Sequence, residues 1–192
     1  MQEDDRNNLN RGNIMRESMI GLSATLFACL AATPAIAQDD TKPITVTGNA
    51  TVVSDYRFRG ISQTDKRFAL QGGITATHSS GLYVSVWGSS IDDYVANGGD
   101  QELDLIAGYS TTVGAATIDV GVLYYYYPGS GGANTDFLEP YASVKGTFGP
   151  ATVKLSAAYA PKQKALTVGS GKEDNLYTAL DLSGGLGDTG VG

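Results

Sequence analysis

Cysteine, histidine and charge are all scarce in this 192-residue chain, and each shortage closes off a class of function. The one cysteine, Cys29, lies inside an apolar N-terminal run, so a chain trimmed beyond that run has no thiol for disulfides, thiolate metal sites or redox chemistry. A lipid anchor at Cys29 fits poorly, because the bulky Phe27 stands where such a signal needs small residues. The one histidine, His78, adjoins Ser79 and Ser80 at a predicted turn, and no nucleophile-elbow, zincin, P-loop or dinucleotide-binding pattern accompanies it. The expectation is a protein that is not an enzyme and uses no cofactor or metal. Charged residues make up 17% of the chain and the net charge is −7, which leaves no basic footprint for nucleic acid. Past the N-terminal run, no apolar stretch is long enough for a membrane-spanning helix.

The N-terminus reads as a targeting segment. Arg11 and Arg16 precede the apolar run Met19–Ala32, and Pro34 is followed by the small-residue pattern Ala35-Ile36-Ala37, which predicts export with cleavage after Ala37. Residues 1–37 are then an N-terminal extension with a cleavable signal peptide, and 38–192 form one domain. Met15 gives a leader of ordinary length, so residues 1–14 read as an extension ahead of the natural start.

What the chain has in quantity is glycine (25 residues), tyrosine (11 residues) and a period of two. In Asn49–Thr64 the even positions Ala50, Val52, Tyr56 and Phe58 are apolar, while Asn49, Thr51, Asp55, Arg57 and Arg59 are polar or charged. Strand side chains alternate between faces, so this spacing places one face in an apolar medium and the other among water and charges. Val53 breaks the alternation, and Gly60 ends the run. The same period predicts strands over Ile44–Arg59, Phe68–His78, Leu82–Ser90, Glu102–Ser110, Ala116–Tyr127, Phe137–Phe148, Ala151–Tyr159 and Asn175–Gly184. Pro140 cannot donate to a ladder and is expected at a strand start or beside a bulge.

Connections between these strands alternate long and short. Outer-membrane barrels have short periplasmic turns and long external loops, so a chain entering from the periplasm shows this order of lengths. The fold expectation is an all-β, antiparallel, up-and-down transmembrane β-barrel with about eight strands visible. Such barrels usually finish on an aromatic strand, whereas this chain ends in a glycine-rich tail, so the barrel is expected to be incomplete at its C-terminus.

Ser54–Thr64 (SDYRFRGISQT), followed by Leu70–Ile74 (LQGGI), resembles the opening hairpin of the TorF-type porins, a family of Gram-negative outer-membrane β-barrels. Beyond the hairpin the likeness is one of pattern, over about residues 44–187. The resemblance implies an outer-membrane barrel.

Alternation does not say whether the apolar side points in or out. Inward gives a soluble lipocalin-like container, outward a membrane barrel with a polar lumen. Composition favours outward, because the polar side collects charges of both signs: Asp55, Arg57, Arg59, Glu102, Asp104, Asp119, Glu139, Lys145, Lys154 and Asp181. These are the lumen-facing candidates. They form either a constriction that screens solutes by charge, with Arg57 and Arg59 opposite carboxylates, or a satisfied ionic core, since eight strands enclose little more than side chains. Tyr56, Phe58, Tyr109, Tyr124, Tyr126, Phe148 and Tyr159 stand where interfacial aromatic girdles belong. The acidic run Asp92, Asp93, Asp100, Glu102 and Asp104 reads as a hydrated external loop, with Ca²⁺ binding as the alternative. The expected partners are outer-membrane lipids, lipopolysaccharide and small hydrophilic solutes, with no nucleic acid. The expected role is passive diffusion through a porin; the competing reading is a non-conducting structural barrel with an ion-paired interior.

Overall fold

The computed structural model describes residues 43–165 and 173–184, so the leader, Cys29, the cleavage site and the glycine-rich tail fall outside the described residues. Among the described residues every regular element is a strand: β1 (Ile44–Val53), β2 (Arg57–Phe58), β3 (Ile61–Ser62), β4 (Ala69–His78), β5 (Leu82–Ser90), β6 (Gln101–Val113), β7 (Ala116–Tyr126), β8 (Phe137–Phe148), β9 (Ala151–Ala160) and β10 (Asn175–Gly184). Eight of them make one antiparallel sheet in the order β1-β4-β5-β6-β7-β8-β9-β10, each long strand beside its neighbour in sequence. β2 and β3 pair separately as a small ribbon. The all-β, up-and-down, eight-stranded expectation therefore holds for the sheet. Closure does not follow, because β1 and β10 each keep one edge unpaired among the described residues.

Turn chemistry explains the short connections. β6 runs on to Val113, past the predicted end at Ser110, leaving only Gly114–Ala115 as the link to β7, and Gly149–Pro150 links β8 to β9. Gly114 (φ 61°) and Gly149 (φ 59°) each take the first central position with positive φ while the second residue does not, the pattern of a type II′ hairpin turn. The long connections 54–68, 91–100 and 127–136, and the described parts of the last one, 161–165 and 173–174, gather at the opposite end of the sheet.

Two departures from the period-two reading have local causes. β1 stops at Val53 rather than Arg59, at the residue where the alternation breaks, and the remainder of the predicted first strand becomes the β2–β3 ribbon. Pro140 lies inside β8, opposite Val122 of β7, while pairing with β9 begins only at Tyr141. Two residues earlier the Leu138 amide points to that same unpaired side, where the Gln163 side chain both accepts from it (2.8 Å) and donates to its carbonyl (2.8 Å). The side-chain amide thus stands in for a strand partner above the proline, and the missing N–H of Pro140 falls where no ladder bond is needed.

The faces of the sheet are inverted relative to a globular domain. Leu70, Ile74, Val84, Leu105, Val120, Val144, Leu155 and Leu182 share one face and are exposed. The opposite face holds the buried carboxylates Glu102, Asp104 and Glu139 beside Tyr125 and Phe137. The buried apolar cluster sits at the long-loop end, where Ile91, Ala96 and Ala165 from the loops meet Tyr125, Tyr127, Phe137 and Ala160.

Candidate functional site: the inner polar face

A two-residue turn folds the segment after β1 back on itself. Arg59 (φ 50°) and Gly60 (φ 87°) are both left-handed, as the centre of a type I′ hairpin requires, and Phe58 pairs with Ile61 across it. Arginine is unusual in that conformation, which therefore depends on contacts elsewhere to hold it. Inside the hairpin, Asp55 accepts from the Ser62 hydroxyl (2.5 Å), the Arg57 Nε (2.7 Å) and the Thr64 hydroxyl (3.3 Å). The Ser62 hydrogen bond, then the Arg57 charge, hold the Asp55 carboxyl below its usual range despite some desolvation. Backbone bonds from the Gln63 amide to the Tyr56 carbonyl (2.7 Å) and from the Tyr56 amide to the Thr64 hydroxyl (3.2 Å) complete the brace.

The sheet curls round this hairpin. Tyr56 meets Trp87 of β5 edge-on at 5.6 Å and donates its hydroxyl to Glu102 of β6 (2.8 Å). Burial, then the Glu102 charge, pushes the Tyr56 phenol well above its usual range, so it stays a neutral donor. Phe58 packs edge-on against Tyr125 of β7 at 5.7 Å, and Tyr125 stacks on Phe137 at 4.1 Å. The Arg59 guanidinium donates to Glu139 of β8 (2.5 Å) and to the Asn175 side chain of β10 (3.2 Å). It also lies 4.6 Å from the Phe58 ring centroid and 4.4 Å from that of Tyr177. Such a sandwich suits a guanidinium, whose weakly hydrated plane accepts aromatic faces while its edge donates.

Glu139 is fully engaged, its second oxygen accepting from the Tyr125 hydroxyl at 3.2 Å. Asp104 is not: its Oδ1 is buried and has no hydrogen-bond partner among the described residues. Among the described residues, Arg59 is the only cation ion-paired with any of these three buried carboxylates.

Farther along the inner face, a row crosses four strands. Tyr83 stands opposite Gly108, Gly108 opposite Gly121, and Gly121 opposite Tyr141. The tyrosines lie over the glycines and their hydroxyls meet each other, with Tyr83 also donating to Asp119 (2.8 Å). A Cβ on Gly108 would stand 2.5 Å from the Tyr83 hydroxyl, and one on Gly121 2.5 Å from that of Tyr141. Only glycine leaves room for the phenols to lie flat.

The predicted lumen residues separate into groups. Arg59, Glu102, Asp104 and Glu139 converge at the long-loop end, and Asp119 belongs to the tyrosine row. Arg57 does not oppose a strand carboxylate. It is exposed and bonded within its own hairpin to Asp55 and the Gly60 carbonyl (2.9 Å). Near the short turns Lys145 faces Lys154, and Lys154 faces Asp181, all three exposed. Tyr56 and Phe58, expected in a girdle, are turned inward, whereas Tyr109, Tyr124, Tyr126, Phe148 and Tyr159 are exposed on the apolar face. In the acidic run, Asp92 pairs with Arg67 while Glu102 and Asp104 point inward; among the described residues no group of three or more acidic, histidine or cysteine side chains is arranged to hold a metal. His78 is exposed and shares a hydrogen bond with the Ser80 hydroxyl at 2.9 Å. The pairings that parity alone could not supply are the inward fold of the hairpin and the tyrosine row. The second left a trace in sequence, a glycine on each neighbouring strand at the parity of the tyrosines.

Residues 37–192 match the model of a family described as bacterial protein of unknown function (Gcw_chp). The chain belongs to this family. The match takes in the inward hairpin, the whole sheet and the inner face, so the geometry above is that of a Gcw_chp domain. No curated protein and no solved structure matches the chain.

Proposed function

We propose that the chain forms the wall of an outer-membrane β-barrel of the porin type, exported by its leader, through which small hydrophilic solutes pass by diffusion. The observation that carries this reading is the inverted burial order. Leu70 is 65% exposed and Leu182 is 71%, while Glu139 and Glu102 are 2% and 3% exposed. In water, an apolar face running across eight strands is a far larger patch than a soluble monomer tolerates; against acyl chains it is satisfied. Strands of 9 to 13 residues suit an apolar band about 25 Å tall. The exposed aromatics Tyr109, Tyr124, Tyr126, Phe148 and Tyr159 suit headgroup interfaces, and the long-loop end suits the lipopolysaccharide side. The resemblance of SDYRFRGISQT to the TorF-type hairpin supports the same reading. Bare ladder amides in hydrocarbon each cost several kcal/mol, so in the bilayer the free edges of β1 and β10 are sealed, by each other or by further strands.

The test is refolding of the full-length protein into detergent and then planar bilayers. A heat-modifiable band and discrete conductance steps are expected. A compact monomer that stays soluble without detergent overturns the membrane assignment. A second reading, a structural barrel with a filled interior, is favoured by the hairpin that occupies the long-loop end through Tyr56, Phe58 and Arg59. It predicts the same band with no conductance.

A further inference from the structure

We propose that the hairpin of residues 54–66 is the selectivity element of this channel and that Arg59 sets its preference between cations and anions; the inference rests on the porin reading above. Position supplies the first argument. The hairpin touches β5, β6, β7, β8 and β10 on their inner faces, so it stands across the path a solute takes from the long-loop end.

Charge supplies the second. Glu102, Asp104 and Glu139 lie buried at this end; among the described residues Asp104 Oδ1 lacks a hydrogen-bond partner and the one cation paired with any of the three is Arg59. The opposite charges that meet at this constriction are those of Arg59 and Glu139, so removing either one unbalances the field there. Charges flanking a narrow, low-dielectric passage act on permeating ions far more strongly than charges in open water. Arg57, only two residues away, is exposed and neutralised locally by Asp55, so it does not share the role.

Placement supplies the third. Arg59 holds a left-handed backbone angle that arginine seldom adopts, and what keeps it there is long-range: Glu139, Asn175 and the Tyr177 ring, with Phe58 beneath. The hairpin is braced internally by Asp55, Ser62 and Thr64, and it is fastened to the sheet by side chains, including Tyr94 donating to the Ser62 carbonyl. It pairs with no strand of the large sheet, so altering Arg59 leaves the ladder that builds the wall untouched.

The experiment is the reversal potential and single-channel conductance of the full-length protein in planar bilayers under a potassium chloride gradient, for wild type, Arg59→Ala, Arg59→Lys, Glu139→Gln and Arg57→Ala. Arg59→Ala is expected to raise conductance severalfold and shift the reversal potential toward cation preference. Arg59→Lys retains the wild-type preference because it keeps the charge while losing the stacked fork. Glu139→Gln shifts the preference toward anions, and it carries the test if Arg59→Ala does not refold. Arg57→Ala shifts the reversal potential less than Arg59→Ala, since its charge is already paired with Asp55; an equal or larger shift overturns the assignment to Arg59. Conducting channels whose reversal potential is the same in Arg59→Ala and Glu139→Gln as in wild type overturn the inference and leave the porin reading standing. Folded barrels that never conduct, wild type included, overturn the porin reading and this inference with it.

Discussion

At the long-loop end of the inner face, partners 46 and 80 residues apart in sequence meet, as Tyr56 does with Glu102 and Arg59 with Glu139. At mid-sheet, the row Tyr83, Gly108, Gly121 and Tyr141 joins residues that strand register already sets side by side. Both places bring phenols and carboxylates together on the inner face, yet they satisfy them differently. Where a side chain can reach across a glycine to its neighbour, pairing of strands is enough. Where three carboxylates crowd together, the sheet supplies the Tyr125 hydroxyl to Glu139, and a separate hairpin adds a phenol to Glu102 and a guanidinium to Glu139. The first arrangement is as rigid as the ladder beneath it; the second depends on one short segment keeping its place.

The contrast is open to direct attack. The largest effect is expected from Phe137→Ala, since Phe137 is fully buried and stacks on Tyr125, which in turn seats Phe58. Loss of about 3–5 kcal/mol in the unfolding free energy of the refolded protein is expected. Hydrogen exchange should quicken in the hairpin and the ends of β7 and β8, while the tyrosine row stays protected. Equal loss of protection at both places would mean that they are not separate units.

Gly121→Val attacks the other place. Its added Cβ meets the Tyr141 hydroxyl at 2.5 Å and the Ala107 carbonyl oxygen at 2.7 Å, so side chain and backbone both have to shift. A loss of about 1–3 kcal/mol is expected. Combining it with Tyr141→Ala restores part of the loss and not all, because the Ala107 carbonyl stays where it was. Full rescue would show that the phenol alone fixes the spacing.

The smallest effect belongs to acid. Asp55 titrates below its ordinary value of 3.8 in the folded hairpin, chiefly through the Ser62 hydrogen bond and then the Arg57 charge. A carboxyl depressed on folding contributes its full stabilisation above the unfolded value and loses it as pH falls through the lower, folded one. Protease cleavage within residues 54–66 should therefore rise only below pH 3.8, with the sheet unaffected. Asp55→Asn should remove that pH dependence, and an unaltered acid profile in this variant would exclude Asp55 as its source.

Much of the sheet was legible beforehand because period-two alternation is a local property. Tyr83, Asp119 and Tyr141 fall on the polar side by counting along their own strands, and the short connections announce themselves through Gly114 and Gly149. Counting fails once a strand has ended. The parity of Tyr56 and Phe58 placed them on the apolar face, but the chain leaves β1 at Val53, and beyond that point odd and even carry no facing information. The break at Val53 was the visible warning. Pro140 is the reverse case: a residue expected at a strand start or bulge sits inside β8, because β9 pairs only from Tyr141 onward and the proline's missing N–H is not needed, while Gln163, far along the chain, serves Leu138 on that side.

The sequence alone determined that this protein is a sheet of alternating character with eight long strands, short turns at one end and long loops at the other, since each of those features follows from residues within a turn or strand of one another. Only the tertiary structure decided which polar-face side chains are buried together, that Arg59 rather than Arg57 faces the strand carboxylates, and that among the described residues the sheet leaves two edges unpaired. Those outcomes depend on how far a sheet curls and on what comes to fill it, and the energies that settle them arise between groups that no local spacing relates.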